Sequence, residues 1–128
     1  MHKKILLVAL LLFLTSGCAV TPSPEAIGPF PNDYKEIVMD HVLHTYFDPY
    51  SIRSASISYP VRGHILFQQG WIVCLESNAK NKMGGYIGLR RTAYLLHGGS
   101  VVREASNAPL CNDSSVYYDE WPELEQIK

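Results

Sequence analysis

Residues 70–89, GWIVCLESNAKNKMGGYIGL, constrain the fold more than any other part of the chain, because an apolar run, a polar turn and a glycine pair fall within one short span. Trp71, Val73 and Leu75 alternate with Ile72, Cys74 and Glu76, the period of a strand buried on one side and largely covered on the other. Its polar end is expected at Ser77 and Asn78. From there Asn78, Lys80, Asn81 and Lys82 lead into Gly84 and Gly85, residue types that accept the positive φ a tight reversal needs. A further strand is expected from Tyr86 to His97, broken or bulged near Gly88, with Gly98-Gly99 making a two-residue hairpin into a strand over 100–105.

Upstream, Asp33 and Glu36 have the spacing of a capping box, and a helix is expected to start at Asn32 or Asp33. Tyr34, Ile37, Val38, His41, Val42 and Thr45 share its apolar face, which Met39, Leu43, Tyr46 and Phe47 widen, and Asp48-Pro49 is expected to stop it. In 54–60, Ala55, Ile57 and Tyr59 alternate with three serines, the pattern of a strand with one wet face. Residues 60–70 read as a loop with a short apolar insert, Ile65 to Phe67, itself a candidate brief strand. After Asn107 the periodicity fades, and Tyr117, Tyr118 and Trp121 suggest a tail that packs back, ending in a frayed segment or a short helix. One helix followed by a meander of strands predicts a single α+β domain over 33–128, with an N-terminal amphipathic helix laid across a small antiparallel sheet.

The N-terminus reads as an export signal. Met1 to Lys4 is short and basic, Ile5 to Leu14 is an apolar run too short to span a bilayer, and small residues follow up to Gly17. Leu14-Thr15-Ser16-Gly17-Cys18 resembles the lipobox of bacterial lipoproteins, with Thr15 where that motif more often has Leu. The resemblance implies removal of residues 1–17 and acylation of Cys18, which becomes the first residue of the mature chain; the bland alternative is an ordinary cleaved signal in which Cys18 is incidental. Ala19 follows the cysteine where inner-membrane retention typically uses Asp, so the resemblance implies the outer membrane, facing the periplasm. Residues 18–32 carry four of the eight prolines and read as an extended tether.

The formal net charge is −1, and becomes −3 once Lys3 and Lys4 are removed with the signal. Its sign is uneven. Residues 53–103 are basic with Glu76 as their one acid, while both flanks are acidic. Two readings follow: the middle binds an anionic envelope component such as lipid phosphate or peptidoglycan, or the acidic flanks fold over it and neutralise it, the reading the expected fold favours. The expected compartment argues against a nucleic-acid partner.

Asp48-Pro49-Tyr50-Ser51, Val73-Cys74, Asn78-Ala79-Lys80-Asn81 and Gly84-Gly85-Tyr86 with Gly88 resemble a pattern in a family of small exported proteobacterial proteins, many of them lipoproteins and without an assigned activity. The resemblance spans Asp48 to Leu89, implies an envelope location and an α+β fold, and implies no catalytic residue; Ser77 departs from the small apolar or β-branched residue expected there. Physically the motif reads first as a turn whose asparagines bond the backbone, and second as an anion site built from exposed N–H groups, Lys80, Lys82, Arg90 and Arg91. No GK[ST] follows the glycines, which excludes a nucleotide phosphate loop.

Cys74 and Cys111 remain once Cys18 is set aside, and in an oxidising compartment two cysteines in a small domain usually pair; a buried thiol at Cys74 beside a free Cys111 is the alternative. Glu36, Asp40, His44 and Asp48 repeat every four residues, a spacing that reads first as a solvated helical stripe and only second as a metal site. No serine sits in a G-x-S-x-G elbow or an S-x-x-K context. The expectation is therefore a non-enzymatic lipoprotein without cofactor or metal, anchored through Cys18 and meeting a periplasmic or envelope protein. The alternatives are a binder of an anionic envelope component and an inhibitor of a hydrolase.

Overall fold

The computed structural model describes residues 24–128. The signal at 1–17, the acylation expected at Cys18 and the first part of the tether lie outside the described residues. The elements are α1 (Pro24–Ile27), α2 (Tyr34–Thr45), β1 (Asp48–Ser58), β2 (Val61–Ile65), β3 (Gln68–Lys80), β4 (Arg90–His97), β5 (Ser100–Ser106), a 3₁₀ turn (Pro109–Asn112), β6 (Tyr118–Glu120) and α3 (Pro122–Glu125). They form a mixed helix and sheet domain around one antiparallel sheet of six strands, ordered β5-β4-β3-β1-β6, with β2 also on β3. Among the described residues no helix is long and apolar enough to cross a membrane.

β3, the strand at the centre of the sequence pattern, is the axis of the sheet. Along one side it pairs β4 from Trp71↔Leu96 to Ser77↔Arg90. Along the other side its first half pairs β2 (Val61↔Ile72) and its second half pairs β1 (Ile57↔Leu75), so β1 and β2 follow each other along one edge. The break between them falls at Tyr59-Pro60, where proline has no N–H to give the ladder. There the Cys74 N–H donates to Ser58 Oγ at 2.8 Å, and the buried Ser58 stands in for the missing main-chain acceptor.

Strand alternation sorts the apolar residues into two cores, one on each face. Val73, Leu75, Tyr94 and Leu96 join Ile37, Val38 and Val42 of α2, with Trp121 and Leu124 from the C-terminal segment. Ile72, Cys74, Ala93 and Leu95 join Ile65, Ala108 and Cys111 on the other face. Cys74 and Cys111 are joined by a disulfide within this second core, which fixes the 3₁₀ turn to the central strand.

Several boundaries differ from expectation. Asp33 precedes α2 but makes no side-chain cap hydrogen bond, so the capping box is not formed. The helix ends at Thr45 rather than at Asp48-Pro49, and both of those residues already belong to β1. The strand expected from Tyr86 begins at Arg90; the strand-like pairing of Tyr86 is an isolated bridge to Lys80. The apolar insert Ile65 to Phe67 is no strand of its own. Ile65 ends β2, and Leu66 and Phe67 form the hairpin turn into β3, Leu66 at φ 56°. The tail does pack back, but through a strand too short to show a period: β6 pairs β1, and the Trp121 N–H donates to Ala55 O at 2.8 Å. This last strand sits beside β1, at the far edge from β5, so the sheet is not a simple meander.

The expected tether over 18–32 is docked in its second half. Ile27 is buried, the Trp71 indole N–H donates to Gly28 O at 3.2 Å, and the Phe30 ring lies 5.0 Å from Trp71 and 5.2 Å from Tyr59.

Candidate functional site

At the Lys80 end of β3, the loop 81–89 folds back over the sheet, held by the two asparagines of the NAKN stretch. Asn81 Oδ1 accepts from the N–H groups of Met83 (2.9 Å) and Gly85 (3.2 Å), and Asn78 Oδ1 accepts from Gly88 N–H (3.1 Å). Gly84 N–H donates to Asn81 O at 3.0 Å, and Asn81 N–H to Gly85 O at 2.9 Å. Five of the backbone donors of this stretch, those of Asn81, Met83, Gly84, Gly85 and Gly88, are thus taken by its own acceptors rather than left for an anion. Gly84 and Gly88 take φ of 78° and 91°, which the reversal requires.

Behind this loop a cleft of about 210 Å³ opens between the C-terminal end of α2 and the sheet. Ser77 and Ala79 of β3, Thr92 and Tyr94 of β4, Glu104 and Ser106 of β5 and Tyr46 contribute to its walls, and Lys80, Arg90 and Ile87 also line it. In its wall the Tyr46 and Tyr94 hydroxyls lie 3.2 Å apart. Burial, and then the neighbouring Tyr46, push the Tyr94 phenol far above its ordinary range, so this hydroxyl stays protonated and serves as a hydrogen-bonding group. Beside it His41 Nε2 is 2.8 Å from Glu104 Oε2, tying α2 to β5.

The four cations nominated from the sequence are separated by the fold. Lys80 and Arg90 line the cleft. Arg91 is on the opposite face of β4, where Nε donates to Glu76 Oε2 at 2.6 Å and Nη1 reaches Cys111 O and Asn112 Oδ1, each at 3.4 Å. The hydrogen bond to Glu76 holds its guanidinium even more firmly protonated, and its function there is to fasten the 3₁₀ turn to the sheet. Lys82 is exposed in the loop and does not line the cleft. A period of two assigns neighbouring residues to opposite faces, which is why Arg90 and Arg91 part.

The basic middle is not neutralised through ion pairs with the flanks. Among the described residues the ion pairs are His41–Glu104, His44–Asp40 and Arg91–Glu76, and the one with a cation from 53–103 uses an acid from the same span. Other cations lie over aromatic rings: Arg53 is 3.5 Å and Lys80 5.6 Å from the centre of Tyr86, and Arg62 is 5.4 Å from that of Trp71. The expected stripe of Glu36, Asp40, His44 and Asp48 is interrupted because Asp48 falls in β1.

Sequence reasoning did not find the exposed apolar residues at the two ends of β3. Phe47 and Tyr50 are exposed at the Lys80 end with Met83, Ile87 and Leu89, and Leu66 and Phe67 are exposed at the Gln68 end. The signal was present in the loop 81–89, whose apolar residues follow no strand or helix period. Comparison with protein-family models, with curated protein sequences and with solved structures finds no match.

Proposed function

We propose that this protein is a non-enzymatic lipoprotein of the bacterial outer membrane, anchored through Cys18 and presenting its domain in the periplasm to a protein of the envelope. The observation that carries the reading is the Cys74–Cys111 disulfide buried in the second core, which suits an oxidising compartment and agrees with the export signal and lipobox read from the N-terminus. The resemblance carried by NAKN and GGY points to the same compartment. Phe47, Tyr50, Met83, Ile87 and Leu89, exposed together at the Lys80 end of the sheet, supply the apolar surface a protein partner would cover. Labelled fatty acid is expected on the wild-type protein and not on Cys18→Ser, which should leave the membrane fraction. An unlabelled wild-type protein, fractionating as the variant does, would remove the anchor from this reading.

A second reading is favoured by the cleft. Lys80 and Arg90 beside the hydroxyls of Ser77, Thr92 and Ser106 suit a small anionic group of an envelope component. Salt separates the two: anion binding weakens steeply with ionic strength and with Lys80→Ala or Arg90→Ala, whereas a partner docked on apolar surface is little affected.

A further inference from the structure

We infer that the β2–β3 hairpin tip, Leu66-Phe67, enters the lipid interface beside the anchor and fixes the orientation of the domain on the bilayer. This rests on the acylation of Cys18 proposed above. Phe67 is 103% and Leu66 69% exposed, in a two-residue turn whose positions usually carry Gly, Asn or Asp. Leu66 also holds a φ of 56°, which a branched apolar side chain adopts at a cost. An apolar pair held in this way at a tip has no role in either core.

The chain length supplies the occupant. Pro24 lies six positions after Cys18, a span that reaches about 20 Å when fully extended. The following residues dock on the sheet, and Ala26 lines one shallow hollow with Phe67, Gln68, Gln69 and His97. The hairpin tip and the point where the chain joins the domain are thus at the same end, within reach of an acylated Cys18. In that hollow Gln69 Oε1 and His97 Nδ1 are buried without a hydrogen-bond partner among the described residues, so this end is less completely satisfied than the rest.

The surroundings suit a membrane surface. Arg62 and His64 on β2 and Arg103, whose Nε donates to Gln68 Oε1 at 3.2 Å, place cationic or titratable groups on both sides of the hairpin, with Glu25 of α1 and Asp33, which lines a hollow with Trp71 and His97, as acids near this end. Trp71, Phe30 and Tyr59 form an aromatic cluster about 13 Å back along the hairpin, a depth suited to the headgroup layer. A second apolar element beside the lipid converts a flexible attachment into an oriented one. The Lys80 end of β3 then points away from the bilayer.

The test uses the intact protein purified from membranes, with acylation of Cys18 read by mass, in vesicles of phosphatidylethanolamine and phosphatidylglycerol whose acyl chains carry bromine. Phe67→Trp and Met83→Trp each add one indole at an exposed position, Met83 being 93% exposed in the loop beyond the other end of β3. The expected result is that bromine quenches most of the emission added at 67, shifted to the blue, and leaves the emission added at 83 unchanged. Acylated protein in which neither indole, or both equally, is quenched overturns the tip insertion and leaves the anchor standing. Protein with no acyl mass on Cys18 overturns the anchor and this inference with it.

Discussion

Single residues close the sheet where its ladder fails. Ser58 accepts the Cys74 N–H at the Pro60 break, and Ser51 Oγ accepts the Lys80 N–H at 2.9 Å beside the register shift in β1. Near the second shift Ser54 takes φ 55°, and the following Ala55 N–H donates to Glu125 of α3 at 2.7 Å. Tyr94 acts at the same scale. Burial first, then Tyr46, raises its pKa above the ordinary 10.0, and burial raises Tyr34 and Tyr118 as well, against the lowering effect of Arg91 on Tyr118. A phenol raised in the folded state leaves stability intact below the unfolded pKa, about 10, and removes it as pH climbs further, because the unfolded chain then ionises first. Phenolate absorbance of the folded protein is expected to lag that of the urea-unfolded chain, with the last tyrosines ionising only as the circular dichroism collapses. A single transition near 10 for all eight tyrosines of the native protein would contradict this.

At the scale of elements, β3 and β4 are buried on both faces because helices lie on one side and the disulfide-bound 3₁₀ turn on the other. The tolerance for bulk is small. A Cβ on Gly70 would run into the Leu96 carbonyl oxygen and the Leu95 side chain, so the glycine is set by the close approach of β3 to β4. The disulfide adds a covalent tie to a turn that Arg91 and the Tyr118 hydroxyl also hold through Cys111 O. Its cysteines are 37 positions apart, and loss of the cross-link by Cys74→Ala with Cys111→Ala is expected to cost about 4 kcal/mol through the unfolded chain's entropy. Urea unfolding checks the magnitude, and hydrogen exchange is expected to rise most over 107–116.

Across the whole molecule, the N-terminal segment and the C-terminal segment both finish the core that the central strands begin. Ile27, the Trp71 to Gly28 hydrogen bond and the Phe30 stacking belong to the stretch that composition marks as tether. A chain beginning at residue 33 is expected to be about 3 kcal/mol less stable than one beginning at residue 24, measured by urea unfolding with Trp71 fluorescence as the local reporter. Equal stability would mean that the docking of 24–32 contributes nothing.

The sequence by itself determined what repeats locally: the period of two over 71–77, the Gly98-Gly99 hairpin with φ of 59° and 80°, and the existence, though not the bounds, of the helix at Tyr34–Thr45 and the strand at Arg90–His97. Each depends on neighbours a few positions apart, which the chain carries wherever it folds. Tertiary structure decided where Ile27, Gly28 and Phe30 dock, that Tyr118–Glu120 becomes an edge strand, and that Arg90 lines a cleft while Arg91 bonds Glu76. Those outcomes depend on surfaces brought together from distant positions. Phe30 meets Trp71, and β6 meets β1, only after the sheet exists, and no local period encodes either meeting.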